Sequence, residues 1–221
     1  MEVIEAIESR RSIRAYKPIP VPKETLTQIL QVAIRAPSYE NAQPWGFTIL
    51  GGEILDDLRK ALQEQSLAST SPHPDFPLET LGRIHRIRYV ELAKSLFQLM
   101  GIAREDKEKR LQWLLRMVGF FDAPNAIIVT ADAEFSGHYS MFCLGTVSQN
   151  IALAALDFGL GTCLSVASIV YPEVIRRIVG IPESKKVAIG IAIGYPDWSF
   201  PANELRSARD PLENLISWCG I

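Results

Sequence analysis

Residues 10–14 read Arg-Arg-Ser-Ile-Arg and run on into Ala-Tyr-Lys-Pro. Three guanidiniums and a hydroxyl within five residues suit an anion, because arginine presents a fixed fork of donors that matches phosphate at two points and serine adds a neutral donor. Arg10 can also be read as a basic helix C-terminus that complements the helix dipole. Arg14 lies too far beyond the short amphipathic start (Val3, Ile4, Ala6, Ile7) for that. A second segment, Ala36 to Trp45, reads Ala-Pro-Ser-Tyr-Glu-Asn-Ala-Gln-Pro-Trp. Two prolines bracket Ser38, Asn41 and Gln43, and proline both stops a helix and biases the residue before it towards extended backbone. Such a stiff, polar loop suits a flat ligand with many acceptors; it equally suits a rigid turn with solvated side chains.

The elements that must hold these segments follow from periodicity. Pro22 and Glu24 open a helix with Leu26, Ile29, Leu30 and Ala33 on one face, closed by Pro37. Phe47–Leu50 reads as a short strand and Ile54–Leu62 as a helix. The stretch Ser69-Thr70-Ser71-Pro72-His73-Pro74 reads as a mobile surface loop with almost no core content. Helices are expected near Glu79–Met100 and Glu105–Val118, and a buried strand at Ala126–Ala131. The run from Tyr139 to Phe158 is apolar around most of a helix, so it needs neighbours on every side, in the core or across a subunit interface. Its Ser148, Gln149, Asn150 and Asp157 argue for a buried helix and against a membrane span. Tyr171–Gly180 is a short helix stopped by glycine. Val187–Tyr195 alternates, with Val187, Ile189, Ile191 and Ile193 on one face and Ala188, Gly190, Ala192 and Gly194 on the other, as in a central strand approached closely from its small-residue side. Beyond Pro196 the chain is an irregular arm ending in Leu212, Leu215, Ile216 and Trp218.

The 221 residues are 48% hydrophobic and 22% charged with net charge −2, as expected of one globular domain without a nucleic-acid surface. Cys143, Cys163 and Cys219 are odd in number and far apart, which suits a reducing cytoplasm. The acidic N-terminus has no apolar signal core. His73, His85 and His138 have no metal-like spacing with the cysteines, so no metal is expected. Gly159-Leu160-Gly161 lacks a third glycine at Leu164, which removes a dinucleotide fingerprint, and there is no nucleophile elbow or Walker pattern.

Taken in order, Arg-Arg-Ser-x-Arg, Pro-Ser-x-x-Asn-x-Gln-Pro-Trp, Gly159-Leu-Gly-Thr-Cys163, the strand Val187–Tyr195 and Arg209-Asp-Pro-Leu-Glu213 resemble the FMN-dependent nitroreductase family along nearly the whole chain. Gly101–Asp106 and Phe120–Pro124 resemble its nitrobenzoate-reducing branch. The resemblance implies an α+β nitroreductase-like fold, with a central mixed, mostly antiparallel sheet flanked by helices. It implies a single domain over 1–221, with a variable substrate-facing insertion about 69–121 and a C-terminal dimer arm about 197–221. It further implies an intertwined homodimer with the arm swapped and FMN sites at the subunit interface.

By the same resemblance, Arg10, Ser12 and Arg209 hold the FMN phosphate or its approach, and Arg11 and Arg206 are further cofactor-binding residues. Arg14 lies near the N1–O2 edge of the ring, where a fixed guanidinium stabilises the negative charge of reduction. Pro37, Ser38, Tyr39, Asn41 and Gln43 face the flavin from the loop, and Ser165, Val166 and Ala167 pass beside it with one backbone N–H reaching N5. The family often has lysine where this chain has Ser207; Arg206 and Lys17 are candidate substitutes. Tyr39, Phe76, Trp113, Phe120 and Phe121 are candidate walls for an aromatic acceptor, with core packing the simpler account of Trp113 and Phe120. No side chain is expected to act as an essential acid, base or nucleophile. The implied activity is NAD(P)H-driven, ping-pong reduction of nitroaromatics, quinones or related planar acceptors. The alternatives are flavin or enone reduction or reductive dehalogenation on the same scaffold, or a flavin-binding sensor or store.

Overall fold

The computed structural model describes residues 1–68 and 71–221; Ser69 and Thr70 of the expected loop lie outside the described residues. Four strands, β1 (Trp45–Gly51), β2 (Asn125–Asp132), β3 (Gly161–Ser165) and β4 (Lys185–Gly194), form one sheet in the order β1-β2-β4-β3, with every ladder antiparallel. Helices α2 (Lys23–Ala33) and α6 (His138–Asp157) cover one face. Helices α3 (Gly52–Leu67), α5 (Lys107–Val118) and α7 (Pro172–Val179) cover the other. Helices α1 (Val3–Ser9) and α4 (Arg83–Leu99) lie at the periphery.

The continuous apolar run of β2 is explained by this sandwich. Ala126 and Ile128 point into the core under α3 and α7, while Ile127, Val129 and Ala131 point under α2 and α6. Each fully buried isoleucine here contributes roughly 1.5–3 kcal/mol relative to exposure. Helix α6 is apolar enough to span a membrane by length and composition. Here its Leu144, Val147, Ile151 and Ala155 pack on the sheet and on α2, while Tyr139, Met141 and Phe142 stay exposed.

Two expectations about β4 separate. It is central, lying between β2 and β3, and its small face is approached closely. A Cβ on Gly190 would stand 2.7 Å from the Phe120 ring, and one on Gly194 would stand 2.8 Å from Pro124. The uniform alternation fails at its start. The ladder pairs Val129 with Ile189 but Thr130 with Val187, so Ala188 bulges out. One extra residue reverses the facing, and Val187 packs with the α3–α7 core while Ile191 and Ile193 pack with α2 and α6.

The stretch expected as a mobile loop is instead tied down where it is described. The His73 N–H donates to the Val170 carbonyl at 3.1 Å, and His73 Nε2 lies 2.8 Å from Glu173. Arg176 grips Asp75 with two hydrogen bonds of 3.2 and 2.6 Å, and Asp75 also accepts the Val187 N–H at 2.7 Å. The sequence reading missed these ties because their partners lie about a hundred residues away.

Candidate active site

Helix α1 ends at Ser9, and the chain then runs extended beside edge strand β3. Ser12 bridges Thr162 in parallel, Ile13 N–H donates to the Thr162 carbonyl at 2.9 Å, and Lys17 N–H donates to Tyr195 at 2.8 Å. Extended backbone sends successive side chains to opposite sides. Ile13 and Ala15 are accordingly buried, and Ser12 and Arg14 face outward. Gly161 makes the approach possible, since a Cβ there would sit 2.4 Å from Ile13 Cγ1.

The outward face forms a cleft of about 450 Å³ lined by Arg10, Arg11, Ser12 and Arg14 from this segment. Arg206, Ser207 and Arg209 come from the C-terminal arm, with Ile7, Glu8, Leu92 and Leu205 completing the lining. Five guanidiniums face a single carboxylate, in a chain whose net charge is −2. Burial and the neighbouring Arg206 draw the Arg11 guanidinium below its ordinary value, against a smaller opposing pull from Glu204. Such crowding calls for a polyanion, and the donor set fits the phosphate of FMN. Ser207 lines the cleft and accepts from Arg209 Nη1 at 2.8 Å. Lys17 is absent from the lining and does not substitute there.

Several holders of this cleft were not visible in the sequence. Asn203 is fully buried and its Oδ1 accepts the Arg14 N–H at 2.6 Å. Arg116 donates to the Arg14 carbonyl at 3.3 Å and pairs with Asp122 at 2.7 Å. Arg11 lies 4.8 Å above the Trp198 ring and donates to the Asn203 carbonyl. Arg88 of α4 pairs with Asp210, next to Arg209. None belongs to a compact motif.

The loop after α2 occupies a different place and does not line the arginine cleft. It sits on α6, where Pro37 accepts from Thr146 Oγ1 at 3.0 Å and Tyr39 N–H donates to Cys143 Sγ at 3.2 Å. Glu40, Asn41 and Gln43 have left-handed backbone (φ of 46°, 60° and 46°). Gln43 donates from its backbone to Ser38 Oγ and from Nε2 to Asn41 Oδ1, which aligns the three polar side chains at the surface. Tyr39 is 41% exposed and stacks on Tyr139 at 4.5 Å.

At the end of β3 Leu164 is exposed and the Ser165 hydroxyl is spent on Ser168 at 2.7 Å; just beyond it Val166 is exposed and Ala167 half-buried. Ser165 can therefore serve a ligand only through its backbone. Cys163 lies beneath the arginine segment, and burial pushes its thiol up, which suits an inert side chain.

The aromatic candidates divide. Phe121, expected as an acceptor wall, is 4% exposed and packs against Trp113 at 6.0 Å in the core. It is a core residue because Phe120, Phe121 and Asp122 form a left-handed turn that drives both rings inward. Trp113 and Phe120 are likewise core. Phe76 packs at the edge of the α2–α6 core with the Lys186 ammonium 5.8 Å from its ring.

An antiparallel sheet between helical layers, with an anion cleft on its edge strand, defines an α+β scaffold. The nitroreductase family model matches residues 7–195, and the chain belongs to that family. It is similar to a nitrobenzene nitroreductase of Ectopseudomonas oleovorans, 31% identical over 97% of this chain and 95% of the relative. It is also similar to a 4-nitrobenzoate reductase of Pseudomonas putida, 29% identical over 97% and 94%. Its fold matches the crystal structure of the FMN-dependent nitroreductase NfnB from Mycobacterium smegmatis in complex with NADPH, with a TM-score of 0.91 at 26% identity, covering 98% and 97% of the two chains.

Proposed function

We propose that this chain is an FMN-dependent oxidoreductase that uses NAD(P)H to reduce nitroaromatics, quinones or related planar acceptors. The observation that carries the reading is the cleft of five arginines and two serines on the edge strand of a nitroreductase fold. FMN held there would supply the redox chemistry, carrying reducing equivalents from NAD(P)H to the acceptor in two half-reactions. Arg10, Arg11, Ser12, Arg206 and Arg209 hold the phosphate, and Arg14 places its charge at the N1–O2 edge of the ring. Ser165, Val166 and Ala167 run beside the ring.

Pro37, Ser38, Tyr39, Asn41 and Gln43 line the site from the other subunit of a homodimer. Their separation from the arginine cleft within one chain supports this, as does the apolar surface left bare on one copy. That surface includes Ile84, Ile87, Tyr89 and Val90 of α4, Phe142 of α6, and Leu212, Leu215 and Trp218 of the arm. Of the arm about 197–221, the stretch through Arg209 stays on its own cleft and the exposed end with Leu212, Leu215 and Trp218 swaps onto the partner, and within a single domain of 1–221 the insertion about 69–121 borders the acceptor. Tyr39 and Phe76 contact that acceptor. The three free cysteines suit a cytoplasmic setting.

Anaerobic stopped-flow mixing of the FMN-loaded protein with NADH and NADPH tests the reading. Rapid bleaching of the flavin band, then reoxidation by nitrobenzoate or a quinone, is expected. Flavin that binds and stays oxidised would replace a reductase with a sensor or store.

A further inference from the structure

We infer that Asn203 is the positioning residue of the anion cleft, its side-chain amide standing in for a missing strand beside Arg14. The inference rests on the proposed phosphate site and adds a residue that contacts no cofactor itself. Asn203 has no exposed surface. A buried amide is costly unless every donor is used. Here Oδ1 accepts the Arg14 N–H at 2.6 Å, and Nδ2 donates to the Ala15 and Asp197 carbonyls at 2.8 Å each. The Asn203 backbone carbonyl accepts Arg11 Nη1 at 3.3 Å. One residue thus holds the segment at Arg11, Arg14 and Ala15.

Between its two β-bridges, at Ser12 and Tyr16, the segment is otherwise held by Ile13 N–H on the Thr162 carbonyl at 2.9 Å, Arg116 on the Arg14 carbonyl at 3.3 Å and Asp197 N–H on the Ala15 carbonyl at 3.1 Å, and it is Asn203 that accepts the Arg14 N–H. A peptide group of a neighbouring strand would offer one acceptor and one donor in this place; the asparagine amide supplies both and a second donor. Asn203 is in turn fixed by the short helix Pro201–Glu204, where its N–H donates to the Phe200 carbonyl at 2.9 Å. The need for such a tether is electrostatic. Five guanidiniums share the cleft, with Arg206 close enough to Arg11 to disfavour its charge, and like charges resist such gathering. A segment held in register keeps Ser12 and Arg14 on the cleft side and spares the ordering cost of binding.

The test uses the full-length apoprotein and the variants Asn203→Ala and Asn203→Ser, the serine being the milder change should alanine fail to fold. Each is titrated with FMN and with riboflavin, which lacks the phosphate, and melted with and without inorganic phosphate. FMN should bind at least about tenfold more weakly, the equivalent of one charge-assisted hydrogen bond. Riboflavin should weaken no more than about threefold, and phosphate should raise the melting temperature of the wild type alone. An unchanged ratio of FMN to riboflavin affinity, whether both fall together or neither falls, would show a residue of general stability and overturn the inference. A wild type that is stabilised by phosphate yet ignores FMN would defeat the flavin reading, with the phosphate melts still deciding the role of Asn203.

Discussion

Removing the carboxylate of Asp75 is expected to loosen both the fold and the acceptor side of the site. Asp75 and Arg176 have side chains only 16% and 13% exposed, and their two hydrogen bonds are joined by a third from Val187 N–H. In Asp75→Ala the guanidinium keeps the Lys185 carbonyl at 2.8 Å and Glu183 at 3.5 Å, but Glu183 is 90% exposed and screened by water. The Val187 N–H on β4 also loses its acceptor. Breaking a buried pair from one side costs about 3–5 kcal/mol, and for a chain of this size each kcal/mol moves the melting temperature by about 2–4 °C. We therefore expect a loss of about 3 kcal/mol and a fall of roughly 10 °C.

Urea melts at fixed protein concentration, with Arg176→Met and the double variant, complete the cycle. The double variant should be less damaged than the sum of the singles by about 2 kcal/mol, because it leaves no uncompensated charge. Since Phe76 follows Asp75 directly, KM for a planar acceptor should rise in Asp75→Ala with little change in the rate of flavin reduction. A loss below about 1 kcal/mol, or strict additivity, would refute the reasoning.

Arg14→Gln should slow flavin reduction by NAD(P)H more than it weakens FMN binding, as read by stopped-flow and fluorescence titration; equal losses would remove Arg14 from the ring. Gly161→Ala should force Ile13 away from β3, costing about 1–3 kcal/mol in a urea melt and weakening FMN at the same time. Normal FMN affinity in a folded Gly161→Ala protein would show that the segment tolerates displacement. The His73 imidazole is held above its ordinary 6.5 by the Ser71 carbonyl and then by Glu173. A raised folded value means that the attachment is complete below about pH 6.5 and lost as pH climbs through the folded value. Hydrogen exchange of the 71–76 amides should therefore quicken with pH beyond its intrinsic rise in the wild type, and not in His73→Gln.

The sequence was most readable where one periodicity ruled a whole element. The apolar run of β2, the α2 stripe and the glycine stop of α7 at Gly180 (φ 78°) all fall where they were expected. The arginine segment was legible because its charge density is local, and the cleft gathers Arg10, Arg11, Ser12, Arg14, Arg206 and Arg209 as a set. What stayed hidden depends on a phase shift or a distant partner. The bulge at Ala188 reverses the facing of Val187 without any change in composition. Phe121 reads as one more aromatic in a variable region until the left-handed turn shows where it points. Asn203 and Arg116 act on backbone atoms nearly two hundred and about a hundred residues away, which no local pattern reports.

The distance in sequence between Arg14 and Asn203 also has a meaning for biosynthesis. The amide that closes the cleft is made 189 residues after the backbone it grips. At roughly 5–20 residues per second, translation alone separates the two by about 10–40 s. For most of that interval Ile13 and Ala15 have neither β3 nor the arm to cover them, and for all of it the Arg14 N–H lacks the Asn203 amide. The arginine cleft is therefore complete only after Asn203, Arg206 and Arg209 have been made, and a full set of phosphate holders is a late product of synthesis.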